Sequence, residues 1–159
     1  MAVSYKPDHY HSVTPYLVLN NAAEAIEWYV KAFGAQEMSR MAMPGGKVMH
    51  AELKIGDSCI MLSDEFPHGA CKSPKTLGGT SMGIHLYVPD VDPAFQQAVQ
   101  AGAEILMPPM DMFWGDRFGK VRDPFGHEWS LATHTEDVTE DEMMKRAEAA
   151  TSQFASVPQ

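Results

Sequence analysis

The sequence predicts an α+β fold built from two tandem β-α-β-β-β modules, and three observations carry that prediction. First, the chain repeats itself: LVLNNAAEAIEWYVKAFGA (Leu17–Ala35) reads again as LYVPDVDPAFQQAVQAGA (Leu86–Ala103) once Phe33 is skipped. Second, each copy is followed by three strand-like runs of alternating or β-rich character. Third, Gly and Pro punctuate those runs where turns belong.

The elements follow in order. Each repeat opens on a short apolar strand and a polar break. In the first, Ala22, Ile26, Tyr29, Val30 and Phe33 fall on one face at helical spacing, and Gly34 supplies a left-handed terminator. In the second, Asp92 is the expected cap, Pro93 the first helical residue, Phe95, Ala98 and Val99 the buried stripe, and Gly102 the stop. Strands are then expected in AQEMSRMAM, GKVMHAELKI and DSCIMLS, and again in AEILMPP, RFGKVRD and HEWSLAT. Gly45-Gly46, Gly56-Asp57 and Pro124-Phe125-Gly126 are their turns.

These assignments divide one domain, 1–159, into module one at 12–63, a linker at 64–80, module two at 81–134 and a helical tail at 135–159. The linker DEFPHGACKSPKTLGGT has no period and reads as a long connection. Thr139 and Glu142 form a capping box opening the tail helix, and the last residues, TSQFASVPQ, are expected to fray.

Composition narrows the function. The 45% apolar content suffices for a core. No run approaches the roughly 18 to 20 apolar residues of a membrane span, and MAVSYKPDHYHS lacks the pattern of a secretion signal, so a cytoplasmic protein with no membrane partner is expected. A net charge of −9 and twelve scattered Lys and Arg residues argue against nucleic acid. Cys59, in an apolar run, and Cys71, in a Gly/Pro-rich stretch near His68, are expected to stay free. The twelve methionines suit either a core or an adaptable pocket wall.

The segments MHAELKIGDSCIMLSDE, HLYVPDVDPAFQQAVQAGAE, FWGDRFGKVRDPFGHEWSLATH and EDVTEDEM give a closer resemblance. With the paired modules, they resemble the vicinal oxygen chelate (glyoxalase/bleomycin resistance/dioxygenase) superfamily, and within it the PhnB-like branch. The resemblance implies a curved mixed sheet around a shared cavity, a homodimer, and a cavity that the partner chain helps complete.

Strand period then divides the faces. Val13, Leu17 and Leu19 should face the helix, leaving Thr14, Tyr16 and Val18 inside. Ala51, Leu53 and Ile55 pack, leaving His50, Glu52 and Lys54 inside. Ile84, Leu86 and Val88 pack, leaving Gly83, His85 and Tyr87. Trp129 and Leu131 pack, leaving Glu128, Ser130 and Ala132.

Metal-dependent members of the superfamily hold a divalent ion with His and Glu from the first and last strands of both modules. The resemblance puts Thr14, Gly83, Met61 and Ser130 at those positions, and none is a usual ligand for Zn, Ni, Mn or Fe. A two-residue slip would offer His50, Glu52, His85 and Glu128 instead. Two readings stay open. One is a protein that binds a small molecule in the concave sheet without a cofactor, contacted by Tyr16, Met61, Tyr87, Trp114, Arg117 and Ser130, with the aromatics Phe113 and Phe118 nearby. The other is a lyase, isomerase or dioxygenase that uses His50, Glu52 and His85 in catalysis, with a divalent ion at the slipped site or none. Among the cations, Lys120 and Arg122 share a face and Arg117 takes the other. Asp123 to His127 reads as a tight turn, and His134 with Glu136 as a strand exit.

Overall fold

A computed structural model describes residues 3–154, with side chains through 151. Module one runs β1 (Tyr16–Leu19), α1 (Ala22–Phe33), β2 (Gln36–Ala42), β3 (Val48–Ile55) and β4 (Ser58–Asp64). A one-turn helix, α2 (Pro74–Leu77), lies in the connection. Module two runs β5 (Gly83–Tyr87), α3 (Val91–Gln100), β6 (Glu104–Asp111), β7 (Asp116–Arg122) and β8 (Glu128–His134), and α4 (Glu140–Phe154) follows.

Each module forms a four-stranded mixed sheet, ordered β1-β4-β3-β2 and β5-β8-β7-β6. The first strand of each pairs in parallel with the last, and the other ladders are antiparallel. The register repeats as well. Tyr16 and Leu17 lie opposite Met61 and Leu62, as His85 and Leu86 lie opposite Ser130 and Leu131.

Local chemistry explains the helix ends. Asn21 caps α1 by accepting from the Glu24 amide, and Gly34, at φ 64°, ends it with amide bonds back to Tyr29 and Val30. The α3 cap is Asp90, which accepts from the Asp92 amide, so Asp92 is not the cap that the sequence suggested. The shift frees Asp92 for an ion pair described below. The tail helix keeps half of its capping box: Thr139 Oγ1 accepts from the Glu142 amide, while the Glu142 carboxylate turns to Arg146. Thr151–Phe154 of the expected fraying segment are helical, and 155–159 lie outside the described residues.

One core joins the helix-facing sides of both sheets: Leu17, Leu53 and Leu62 of the first share it with Val121, Trp129 and Leu131 of the second. Val13 and Val30, expected in this packing, are exposed, because β1 starts only at Tyr16 and α1 turns Ala25, Trp28 and Ala32 inward instead. No methionine among the described residues is buried, so the thioethers line surfaces rather than fill the interior.

The modules are cross-linked through polar groups in this core. Asp123 Oδ2 accepts from the Tyr29 hydroxyl at 2.7 Å and from Trp129 Nε1 at 2.9 Å. Its Oδ1 takes the amides of Phe125 and His127. Burial and this carboxylate hold the Tyr29 hydroxyl well above the ordinary tyrosine range. Trp28 Nε1 reaches the Ala101 carbonyl at 2.8 Å, and the Phe33 and Trp129 ring centroids are 4.6 Å apart. Asp64 ties module one in a similar way, accepting from the amides of Ala22 and Val48.

The connection is more ordered than its composition suggested. Buried Ser73 caps α2, and the Glu65 carboxylate accepts from the Ser73 amide and the Thr76 hydroxyl. Those bonds, with Lys72 nearby, hold the Glu65 carboxyl down at about 2.

Candidate functional site

The face of each sheet turned away from the core carries the chemistry, because strand alternation sends every second side chain there. On module two the ladder registers lay this face out in rows. His85, Ser130, Lys120 and Met107 are cross-strand neighbours in one row. Tyr87, Ala132, Phe118 and Met110 form the next.

Aromatic rings weld these rows together. His85 meets Tyr87 edge-on at 4.7 Å and stacks on Phe118 at 5.8 Å, and Trp114 meets Phe118 edge-on at 5.6 Å. Phe113 lies 5.0 Å from Trp114. Contacts of this kind fix ring orientations as well as bury area.

Beneath them Asp116, 3% exposed, is a hub. Its Oδ2 accepts from the Tyr87 hydroxyl and Trp114 Nε1, each at 3.0 Å, and its Oδ1 lies 2.9 Å from His134 Nδ1. Burial alone would raise this carboxyl, but the bonds from His134, Tyr87 and Trp114 outweigh burial and leave it below the ordinary value. Tyr87 is raised in return by its bond to Asp116. His134 is raised by Asp137 and then Asp116, which flank its two ring nitrogens.

Module one presents a second cluster. The Tyr16 hydroxyl lies 3.0 Å from His50 Nδ1, and His50 Nε2 lies 3.4 Å from Glu52 Oε1. Tyr10 folds over this face and is buried, its hydroxyl raised by burial and by the Glu52 carboxylate. Met61 is half-buried opposite both Tyr16 and Glu52.

Where the inner edges of the sheets approach, a cleft of about 550 Å³ opens. His11, Val13 and Pro15, just before β1, form one wall with the β3–β4 turn. Ile84 to Tyr87 of β5 form the other, so His85 and Tyr87 belong both to the cleft and to the aromatic cluster. The volume suits a drug-sized molecule.

The family profile of the Glyoxalase/Bleomycin resistance protein/Dioxygenase superfamily matches residues 6–131. The chain belongs to this superfamily. An uncharacterized protein of Mycobacterium bovis is 45% identical to it, covering 90% of this chain and 93% of the relative. Protein YjdN of Escherichia coli is 27% identical, covering 75% and 92%. Among solved structures, TioX from Micromonospora sp. ML1 superposes with a TM-score of 0.61 at 29% identity, covering 78% of this chain and 98% of TioX. The PhnB protein from Bacillus cereus shares the fold, with a TM-score of 0.60 at 20% identity, covering 77% and 99%.

For a member of this superfamily, the fit of a divalent ion is the first question. Thr14, Gly83, Met61 and Ser130 offer two hydroxyls, a thioether and no side chain, a donor set that does not fit an ion held by imidazole and carboxylate. Among the described residues no three His, Cys, Asp or Glu side chains are grouped to hold a metal. The slipped set comes apart in the chain: His50 and Glu52 belong to the Tyr16 cluster, His85 stacks in module two, and Glu128 accepts from Arg122 at 2.9 Å.

Of the expected contact residues, Tyr87, Trp114 and Ser130 lie on the open face of module two with His85, while Tyr16 and Met61 lie on module one. Arg117 does not join them. It points to the helix side, gripped by Asp92 at 2.8 and 2.9 Å and by Asp111 at 3.2 Å. Asp116 carries little signal in the sequence beyond an Asp two residues after a Trp at a strand start. His134, which reads as a strand exit in the sequence, is part of the hub.

Proposed function

We propose that this superfamily member is a PhnB-like, cytoplasmic, homodimeric protein that binds a small, partly aromatic molecule against the open face of module two and the adjoining cleft. It does so without the four-ligand metal centre of the superfamily's metal enzymes. One observation carries the reading: the His85, Tyr87, Trp114 and Phe118 cluster is locked in place by a buried carboxylate, beside a cleft of about 550 Å³. Aromatic contacts held before binding lose little conformational freedom when a ligand arrives, which is where affinity is otherwise spent. Half-buried or exposed Met107 and Met110 at the rim add contacts that adapt to shape. The segments of Met49–Glu65 and Phe113–His134 support the PhnB-like branch. The free thiols Cys59 and Cys71 fit a reducing compartment, and no helix among the described residues is long and apolar enough to cross a membrane.

Isothermal titration of hits from a chemically diverse aromatic panel tests the reading. Tyr87→Ala and Trp114→Ala should each weaken binding by about tenfold or more. Unchanged affinity in both would overturn it.

The Tyr16, His50 and Glu52 relay favours a second reading, a proton-transfer enzyme of lyase or isomerase type. A tyrosine and a carboxylate flanking the two ring nitrogens is an arrangement that orients an imidazole for acid–base work. Deuterium exchange beside the ketone of α-keto acids, followed by NMR and lost in His50→Gln, supports that reading. Exchange no faster than in buffer removes it.

A further inference from the structure

We infer that the open face of module two selects planar aromatic carboxylates, with Lys120 as their counter-ion; this rests on the small-molecule reading and specifies its ligand class. The three cations of β7 differ in what they meet. Arg117 is neutralised on the helix side by Asp92 and Asp111. Arg122 lies between Glu104 and Glu128, at 2.9 Å from each. Lys120 has no carboxylate within ion-pairing distance among the described residues, and is exposed. Its Nζ rests 5.9 Å from the Phe118 ring centroid.

Position makes this cation useful. Lys120 stands opposite Ser130, which stands opposite His85, so an ammonium, a hydroxyl and an imidazole line one row. A carboxylate can accept from all three kinds of donor. The neighbouring row offers Tyr87, Ala132 and Phe118. Ala132 and Phe118 are already covered, whereas Tyr87 is 60% exposed, so Tyr87 is the ring that a ligand meets in this row. The rows are two residues apart along the strands, about 7 Å, the separation of a carboxylate from the far part of a fused aromatic ring. A single unpaired cation in the row matches one negative charge. The carboxylates of Glu104 and Glu128 beyond it disfavour a second.

Calorimetry with 2-naphthoate and its uncharged amide, 2-naphthamide, tests the inference on the full chain. The wild type should prefer naphthoate by about tenfold, the scale of one charge-assisted hydrogen bond in a half-open site. Added salt should weaken naphthoate and leave the amide unchanged. Lys120→Ala should equalise the two, and Lys120→Arg should keep the preference; the exposed position makes both variants compatible with folding. Failure of naphthoate to bind, equal affinities in the wild type, or a preference that survives Lys120→Ala would overturn the inference. In those cases an uncharged or cationic hit that needs Trp114 leaves the small-molecule reading standing. A panel with no hit of any charge removes that reading too.

Discussion

Glu52 and Lys120 occupy equivalent places in the two modules: Glu52 faces Met61 across β3–β4 as Lys120 faces Ser130 across β7–β8, and Met61 and Ser130 in turn face Tyr16 and His85. A duplicated architecture has therefore acquired opposite charge at this one equivalent position. One face carries a hydrogen-bonded Tyr–His–Glu relay and the other an aromatic bed beside an ammonium.

The hub beneath the aromatic bed gives the first prediction. Asp116→Ala removes the acceptor that holds both Tyr87 and Trp114. Ligand affinity should fall about as far as in Trp114→Ala, although Asp116 is buried beneath the rings. Calorimetry against the same hit checks this, and near-wild-type affinity in a folded Asp116→Ala chain would count against preorganisation.

Asp123 is a purely structural counterpart. Its carboxylate satisfies four donors, and Asp123→Ala strands them in the core, so a loss of about 3 to 4 kcal/mol is expected. Tyr29→Phe removes one donor and leaves the rest, so about 1 kcal/mol is expected. Urea unfolding with unchanged m-values measures both.

Gly119 separates the two faces of β7. A Cβ there would lie 2.9 Å from the Phe95 ring and 3.1 Å from the Met107 carbonyl, so Gly119→Ala should cost about 1 to 3 kcal/mol by forcing α3 outward. The strain falls on the helix side, so ligand affinity on the open face should be nearly unchanged in the folded fraction.

The His134 pair supplies a pH signature. Its folded pKa is raised by Asp137 and Asp116. The stabilisation is therefore fully present below the unfolded histidine value of about 6.5 and is lost as pH rises through the raised folded value. The difference in melting temperature between wild type and His134→Gln should be largest near pH 6 and shrink in alkali. A difference that grows with pH would reverse the assignment.

Oligomeric state is a separate expectation. The edge strands β1 and β2 of one sheet and β5 and β6 of the other lack a second strand partner among the described residues, and such edges invite pairing. Light scattering after size exclusion should return a dimer mass.

How much of this was legible in the sequence differs by kind of information. The repeat and the strand period were enough to place Leu17, Leu86, Trp129 and Leu131 on the helix-facing side of the sheets and His50, Glu52, His85, Tyr87 and Ser130 on the opposite face, because alternation is a local property of extended chain. Period is silent about which outward groups meet. His50 and His85, grouped together on that basis, belong to different clusters. It is equally silent about partners distant in sequence, so Asp123 read only as a turn residue, and Arg117 gave no sign that Asp92, twenty-five positions away, would hold it. Of the two places that the methionines suit, a core or a pocket wall, the structure leaves the first without them: none among the described residues is buried.

Ligand binding on module two without a divalent ion is decided by thermal melting of the wild-type chain and Trp114→Ala against a small-molecule panel, with and without a chelator. Some compounds should raise the wild-type melting temperature equally in both conditions and fail to do so in the variant. Stabilisation that needs an added divalent ion, or that persists undiminished in Trp114→Ala, would contradict it.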